Sequence, residues 1–458
     1  MTKFTRRQQH LLLLILLLYV GAALTYAWAT PPLEASDEYK HYPVVQHIQT
    51  SGKLPVLDPE DPGRWLQEGA QPPLYYLLMA GLTAFIDTSD LPAVHNLNHF
   101  AFIGNPNQVG NKNLILHPPD QTQFPWQGTV LAVYLIRLAS ILLGVGVIFI
   151  TALLGQALFQ REPVCWRPHW WPSIPCFSLS APPSTMIPWL TFLGGLGLYL
   201  LVKLWQDAPH PTQKWGRYLI LGLVLGAGIL TKLSLGALLG LAGLALAWLA
   251  WRQKNGRILF VGGVITLLTA LLISGWWFTR NWLVYGDLTA LNVFVAVQGT
   301  RDTPIRWQGW LEEFGTFYRS FWGLFGGVNV SAPEPVYLFF NGVALGGTAG
   351  LIRQWLRKRT QLIASGGWLP LAWTAVLFLL LVRWNIISPA FQGRLLFPAL
   401  GGMMALLAYG LLSWVNEAWQ PRLAAGLAGI MLLIALLLPW LTIRPAYALP
   451  PTAGRHPG

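Results

Sequence analysis

Apolar residues in this chain fall into long runs, and the polar stretches between them are either basic or nearly free of Lys and Arg. About 20 apolar residues are needed for a helix to cross a bilayer. The runs 11–29, 129–159, 170–184, 187–204, 218–230, 235–251, 258–278, 336–352, 368–381, 395–414 and 423–441 read as eleven membrane-spanning helices. The run 72–86 is short of a full span and reads as an interfacial or re-entrant segment. The expected fold class is therefore an all-α polytopic membrane protein.

Charge orients the helices. Lys3, Arg6 and Arg7 precede the first run, and later clusters occur at Arg161 and Arg167, at Lys203, Lys214 and Arg217, at Arg252, Lys254 and Arg257, and at Arg353, Arg357, Lys358 and Arg359. These clusters fall on one side if the spans alternate, which the positive-inside rule assigns to the cytoplasm. The N-terminus is then cytoplasmic and the C-terminus external. The stretch 87–127 carries one Lys, no Arg and three Asp, as an external segment should. Segments 30–127 and 279–334 become two large external loops, the first holding short helices flat on the membrane. Residues 1–441 form one transmembrane domain and 442–458 an external tail, with no internal repeat and no soluble domain.

Composition agrees. The chain is 54% hydrophobic and 10% charged, against about 25% charged in ordinary soluble domains. A net charge of +12 alone would admit nucleic acid as a partner. The basic residues are instead divided among short loops, so the expected partner is the bilayer of a plasma membrane and no nucleic acid. Cys165 and Cys176 make no disulfide framework. Ala27-Trp28-Ala29 resembles a signal-peptidase site, but the run before it is long enough to span and reads as an uncleaved helix.

One stretch breaks the pattern. The stretch from Arg161 through Pro188 holds seven prolines, both cysteines and the polar run 180–185. Such a helix would lose several backbone hydrogen bonds in lipid. It reads either as a kinked helix held by its neighbours or as a compensated frameshift. In the frame starting at each codon's third base, Met186 followed by Ile187 forces GAT, an Asp codon.

The candidate chemistry lies at the external ends of the runs. Ser36-Asp37-Glu38-Tyr39-Lys40-His41 opens a short surface helix, with Ser36 as its expected cap, a bend at Pro43 and a stop at Gly52. Carboxylates commonly decorate a helix start, which is the plain structural reading of Asp37 and Glu38. Gln71-Pro72-Pro73-Leu74-Tyr75-Tyr76 enters the short run. Trp276, Trp277, Arg280 and Trp282, with Tyr285 and Asp287, close the run 258–278 and read first as an interfacial aromatic belt. Phe391-Gln392-Gly393-Arg394 opens the run 395–414. Arg137 lies inside an apolar run, and Lys232 at an external turn. Basic residues on the outer side oppose the positive-inside bias, so they either snorkel to lipid phosphates or bind an anionic head group.

The stretches "SDEYKHYPVVQHIQTSGKLP" and "QPPLYYLL", followed by "GILTKLS", "WWFTRNWLVYGD" and "FQGRLLFP", resemble in order and placement the landmarks of the C-type (GT-C) membrane glycosyltransferases, the group of the protein O-mannosyltransferases and lipid A aminoarabinose transferases. The resemblance runs over about residues 10 to 400. It implies a GT-C-like fold, a polyprenyl-phosphate-linked sugar donor, and inverting transfer on the outer face of the membrane to a lipid, glycan or protein acceptor. Carried over by position, Asp37 is the catalytic base and Glu38 its catalytic neighbour. Lys232, Arg280, Arg394 and Arg137 are the candidates for the donor phosphate, and His41, Gln71, Tyr75, Trp277, Tyr285 and Gln392 for the substrate cleft. Gln71 stands where the aminoarabinose transferase group has a Lys. The Asp often found at the outer end of that group's fourth helix is missing here, and the alternative frame would supply one.

On physical grounds, a carboxylate at an apolar interface is expected to have a raised pKa suited to proton abstraction, and fixed cations to stabilise a leaving phosphate. Nothing in the pattern demands a cofactor. A divalent cation is compatible with it but not indicated, and His95 with His99 reads as a surface pair at helical spacing rather than a metal site. The rival classes are a transporter or flippase, and an O-antigen ligase-like protein, for a lipid-linked anionic substrate. A transporter would carry its ionisable or helix-breaking positions near mid-membrane. Here the polar groups gather at the external ends.

Overall fold

The computed structural model describes residues 4–101, 103–108, 110, 112–117, 124–159, 186–207 and 215–448. The anticipated span 170–184, both cysteines and residues 161–185 of the frameshift stretch 161–190 lie outside the described residues. Among those described, nine helices are long and apolar enough to cross a membrane. The chain is thus an all-α, multi-pass membrane protein, with one two-stranded hairpin among the described residues, β1 (Leu324–Phe325) and β2 (Val330–Ser331).

The spans coincide with the apolar runs and in several cases exceed them. The first is α1 (Arg6–Ala29). A short helix α2 (Glu38–Ser51) follows, then α3 (Leu74–Thr83) and a single turn, α4 (Leu91–Val94). At ten residues α3 is about 15 Å long, half a bilayer core. Next come α5 (Gly128–Phe159), α6 (Ile187–Asp207), α7 (Trp215–Ile229) and α8 (Gly236–Arg252). The run expected to span at 218–230 is α7, a helix of 15 residues. The span α9 (Val264–Tyr285) runs beyond the predicted end at 278 and carries the aromatic cluster in its last turns.

Two further short helices, α10 (Leu291–Gln298) and the amphipathic α11 (Trp307–Trp322), precede α12 (Glu334–Ala364). The helix α12 kinks at Lys358, so its basic cluster continues the helix rather than leaving it. It is followed by α13 (Trp368–Ile387), α14 (Leu400–Leu412), entered through a 3₁₀ segment Gly393–Ala399, and α15 (Gln420–Leu438). The last span continues to Ala446, beyond the predicted end at 441.

Small residues let the helices approach. A side chain on Gly222 would meet the Thr266 carbonyl, which locks α7 to α9, and Gly350 meets Gly410 between α12 and α14. In lipid, where apolar contact gives little preference between neighbours, such close backbone packing selects partners.

At one end of the bundle the two long polar segments close over each other. Glu34, fully buried, accepts hydrogen bonds from the Leu114 and Ile115 amides, both at 2.9 Å, and from His117 Nε2 at 3.0 Å. The Gly104 amide donates to the Gly327 carbonyl at 2.9 Å. His95 is buried and its Nε2 lies 2.7 Å from the Tyr39 carbonyl. His95 ends α4 and Leu97 pairs with Ile115, so the anticipated helical His pair is not formed.

Candidate functional site

The left-handed backbone of Asp37 (φ 60°) ends the α1–α2 connection and sends neighbouring carboxylates in different directions. Helix α2 starts at Glu38, with Asp37 rather than Ser36 at the cap position and no side-chain capping bond. The Asp37 carbonyl still accepts from the Lys40 and His41 amides. Its carboxylate is free of the helix and receives Arg394 Nη2 at 2.7 Å. The stop at Gly52 is as expected.

Arg394 reaches this point because Gly393 lies against α11. A side chain on Gly393 would collide with the Phe317 carbonyl, and the Gly393 amide donates to Ser320 Oγ at 2.8 Å. Gln392 Oε1 accepts Arg394 Nε at 2.6 Å and fixes the guanidinium from its other edge.

Lys232 comes from the turn between α7 and α8. The Leu230 carbonyl before it accepts the Leu74 amide at 2.9 Å, which docks this turn on the Pro72-Pro73 entry to α3. The Lys232 ammonium has no hydrogen-bond partner among the described residues, and burial pulls its pKa down despite Glu68 and Asp37 nearby.

These groups face a cleft of about 880 Å³ lined by Asp37, Lys40, Glu68, Lys232, Arg383 and Arg394, with Gln71, Trp277 and Gln392. Counting Glu313, four basic and three acidic side chains line it, a net charge of +1. Much of the remaining lining is apolar: Leu377, Leu381 and Trp384, which share one face of α13, and Ile187 and Leu190 of α6. Charged groups and apolar lining in one cleft suit an amphiphile with an anionic head.

The expected raised pKa of Asp37 is corrected by this geometry. Burial raises it, but Arg394, then Lys40, His41 and Lys232, outweigh burial and bring it to about 2. Asp37 is therefore ionised at neutral pH. Its side chain is still 39% exposed.

Glu38 and Arg137 are placed elsewhere. Arg137, 1% exposed, donates to both Glu38 oxygens, Nε at 3.0 Å and Nη2 at 2.6 Å. Its remaining donors go to the carbonyls of Ala27, Thr30 and Pro31 at 2.7–2.8 Å. All five guanidinium donors are used, so Arg137 has none left for a donor phosphate, and Glu38 is a counter-ion rather than a cleft residue. The pair ties the end of α1 and the start of α2 to α5.

Arg280 also faces away, donating to the Pro55 carbonyl at 2.7 Å. Tyr285 accepts the Leu57 amide at 2.9 Å and packs beneath that loop. His41 and Tyr75 are buried behind the cleft, His41 with Nδ1 2.8 Å from Tyr76 Oη. Burial lowers the pKa of His41 more than Glu68 and Asp37 raise it, so the ring is neutral at pH 7. Of the sequence candidates, Asp37, Gln71, Lys232, Trp277, Gln392 and Arg394 meet in the cleft.

Four charged cleft residues were not singled out from the sequence. Lys40 was quoted only as part of the first cluster. Glu68 lies three residues before Gln71. Glu313 on α11 is held by Arg301 at 2.6 and 2.7 Å and by Asn385. Arg383 is exposed on α13 at the end of an outward run, and the exception to the positive-inside bias that marked Arg394 applies equally to it.

A polytopic helical membrane protein with a charged, half-apolar cleft at its loop-rich end is the class these features define. Among solved structures the chain is similar to ArnT from Cupriavidus metallidurans bound to undecaprenyl phosphate, with 14% identity over 94% of this chain and 73% of that one and a TM-score of 0.48. It is also similar to the oligosaccharyltransferase of Archaeoglobus fulgidus in complex with zinc and sulfate, at 14% identity over 95% of this chain and 54% of that one, TM-score 0.49. The archaeal oligosaccharyltransferase AglB from the same organism, in complex with an inhibitory peptide and a dolichol-phosphate, has 11% identity, coverage of 95% and 56%, and a TM-score of 0.44. No family model and no curated protein matches the chain. At these values the roles of the residues rest on the chain's own geometry.

Proposed function

We propose that the chain is a membrane glycosyltransferase that moves a sugar, with inversion, from a polyprenyl-phosphate donor to an acceptor hydroxyl at the outer face of the membrane. The observation that carries this reading is the Asp37–Arg394 ion pair in a cleft that is also lined by Lys232 and by apolar side chains. The motif resemblance points the same way. A transporter or flippase would share the anionic-lipid preference, but its ionisable positions are expected near mid-membrane rather than at the ends of the apolar runs.

The chemistry follows from competition for Arg394. A donor phosphate entering beside Lys232 and Arg394 offers the guanidinium a second anion. As Arg394 turns to it, Asp37 loses its strongest lowering influence while its burial remains, and its proton affinity rises. The acceptor oxygen then attacks the anomeric carbon on the face opposite the phosphate and gives its proton to Asp37. The carbon–oxygen bond to phosphate breaks, and its electron pair leaves with the phosphate, where Lys232 and Arg394 stabilise the charge. The test is release of free undecaprenyl phosphate from a panel of undecaprenyl-phosphate sugars by membranes carrying the full chain.

The orientation is tested separately. Single cysteines introduced near Gly110 and Thr300, in a background with Cys165 and Cys176 replaced, should react with an impermeant thiol reagent in intact cells. A cysteine near Lys254 should react only after the cells are opened. Labelling near Lys254 in intact cells would put Asp37 on the cytoplasmic side and contradict transfer at the outer face.

A further inference from the structure

The second carboxylate of the cleft, Glu68, is 7% exposed, and no Lys or Arg pairs with it among the described residues. Oε1 accepts Gln67 Nε2 at 3.1 Å, and Oε2 accepts Tyr76 Oη at a long 3.5 Å. His41 Nδ1 lies 3.6 Å away. A carboxylate accepts about four hydrogen bonds, so much of its capacity is unused. A buried charge left this open is costly unless something else donates to it.

The groups behind Glu68 are arranged to support it. Tyr76 Oη lies between His41 Nδ1, at 2.8 Å, and Glu68 Oε2. These groups hold the carboxylate in place and leave lone pairs free for the cleft it lines. A buried acceptor left open at the cleft suits a ligand that donates several hydrogen bonds at short spacing, the property of a sugar ring with adjacent hydroxyls. A hydrocarbon chain has no donor, and a phosphate would be repelled by Glu68.

We propose that Glu68 is a sugar-binding residue, taking hydrogen bonds from ring hydroxyls of the glycosyl group that the cleft accepts, with Tyr76 and His41 positioning it. This rests on the glycosyl-transfer reading and assigns a subsite within it. Phosphate and sugar are then held by different residues: Arg394 and Lys232 for the first, Glu68 for the second.

The experiment compares binding of two probe classes to the purified full chain in nanodiscs by native mass spectrometry. One probe is undecaprenyl phosphate. The others are undecaprenyl phosphate linked to glucose, mannose, galactose or arabinose. The wild type should bind at least one sugar-linked form about tenfold or more tightly than undecaprenyl phosphate. Glu68→Gln should lose that preference while its affinity for undecaprenyl phosphate stays within about twofold, and Glu68→Asp should regain part of it. Tyr76→Phe keeps the ring packing and removes the bridging hydroxyl, so it should weaken the preference by a smaller factor. An unchanged preference in Glu68→Gln, equal weakening of both probe classes, or no preference in the wild type would each overturn the assignment. Failure of the glycosyl-transfer reading shows up differently, as absence of turnover by the wild type.

Discussion

Asp37→Asn is expected to lower sugar transfer by roughly 10²- to 10⁴-fold, the usual contribution of a positioned general base. The substitution keeps the size of the side chain and its place before α2. It removes the charge that holds Arg394 at 2.7 Å. The variant should therefore bind undecaprenyl phosphate as tightly as the wild type or more tightly, because the guanidinium no longer has to leave a carboxylate. Initial rates and binding are measured on matched preparations. A merely structural role for Asp37 would lower both together. Near-normal transfer would reduce Asp37 to a helix-start residue and reopen the transporter reading.

Arg137→Leu is expected to destabilise the protein by about 3–5 kcal/mol, the range for breaking a buried ion pair from one side. It would leave Glu38 buried without its cation, and the carbonyls of Ala27, Thr30 and Pro31 without their donor. Glu38→Gln should cost less, since the amide oxygen can still accept the Leu33 amide now bound at 2.8 Å. Arg137→Lys should not rescue fully, because an ammonium cannot reproduce the five-donor fork. Thermal unfolding of detergent-purified protein tests the series. A midpoint for Arg137→Leu within a degree or two of the wild type would show that the end of α1 is held by packing alone.

Much of the architecture is legible in the sequence because a bilayer leaves few choices. An apolar run of sufficient length must be a helix, and α1, α5, α6, α8, α9 and α12–α15 all stand on such runs. The short α3 is legible for the same reason, through its length. Tertiary pairing is not. Asp37 and Arg394 are 357 residues apart, and nothing local to either names the other. The sequence marks both as polar residues at apolar ends, which is as far as composition and topology reach.

Two errors share a physical cause. Asp37 and Glu38 look equivalent as adjacent carboxylates, yet the left-handed turn at Asp37 sends one into the cleft and the other to Arg137. An arginine inside an apolar run was read as a ligand for an external anion, whereas the chain supplies its anion internally. The raised pKa expected for Asp37 failed similarly. Burial acts as supposed, but the cations that the fold brings together, Arg394 first, outweigh it. Glu68 escaped notice because a lone Glu in a polar loop carries no signal until its neighbours are known.

The most direct measurement of the central claim is turnover of undecaprenyl-phosphate sugars by the full chain in proteoliposomes, with and without membrane extract as a source of acceptor. The account predicts that at least one donor of the panel releases free undecaprenyl phosphate, that release is accelerated by acceptor, and that Asp37→Asn abolishes the acceleration. Movement of the intact donor across the bilayer, with no release of undecaprenyl phosphate from any donor, would contradict it.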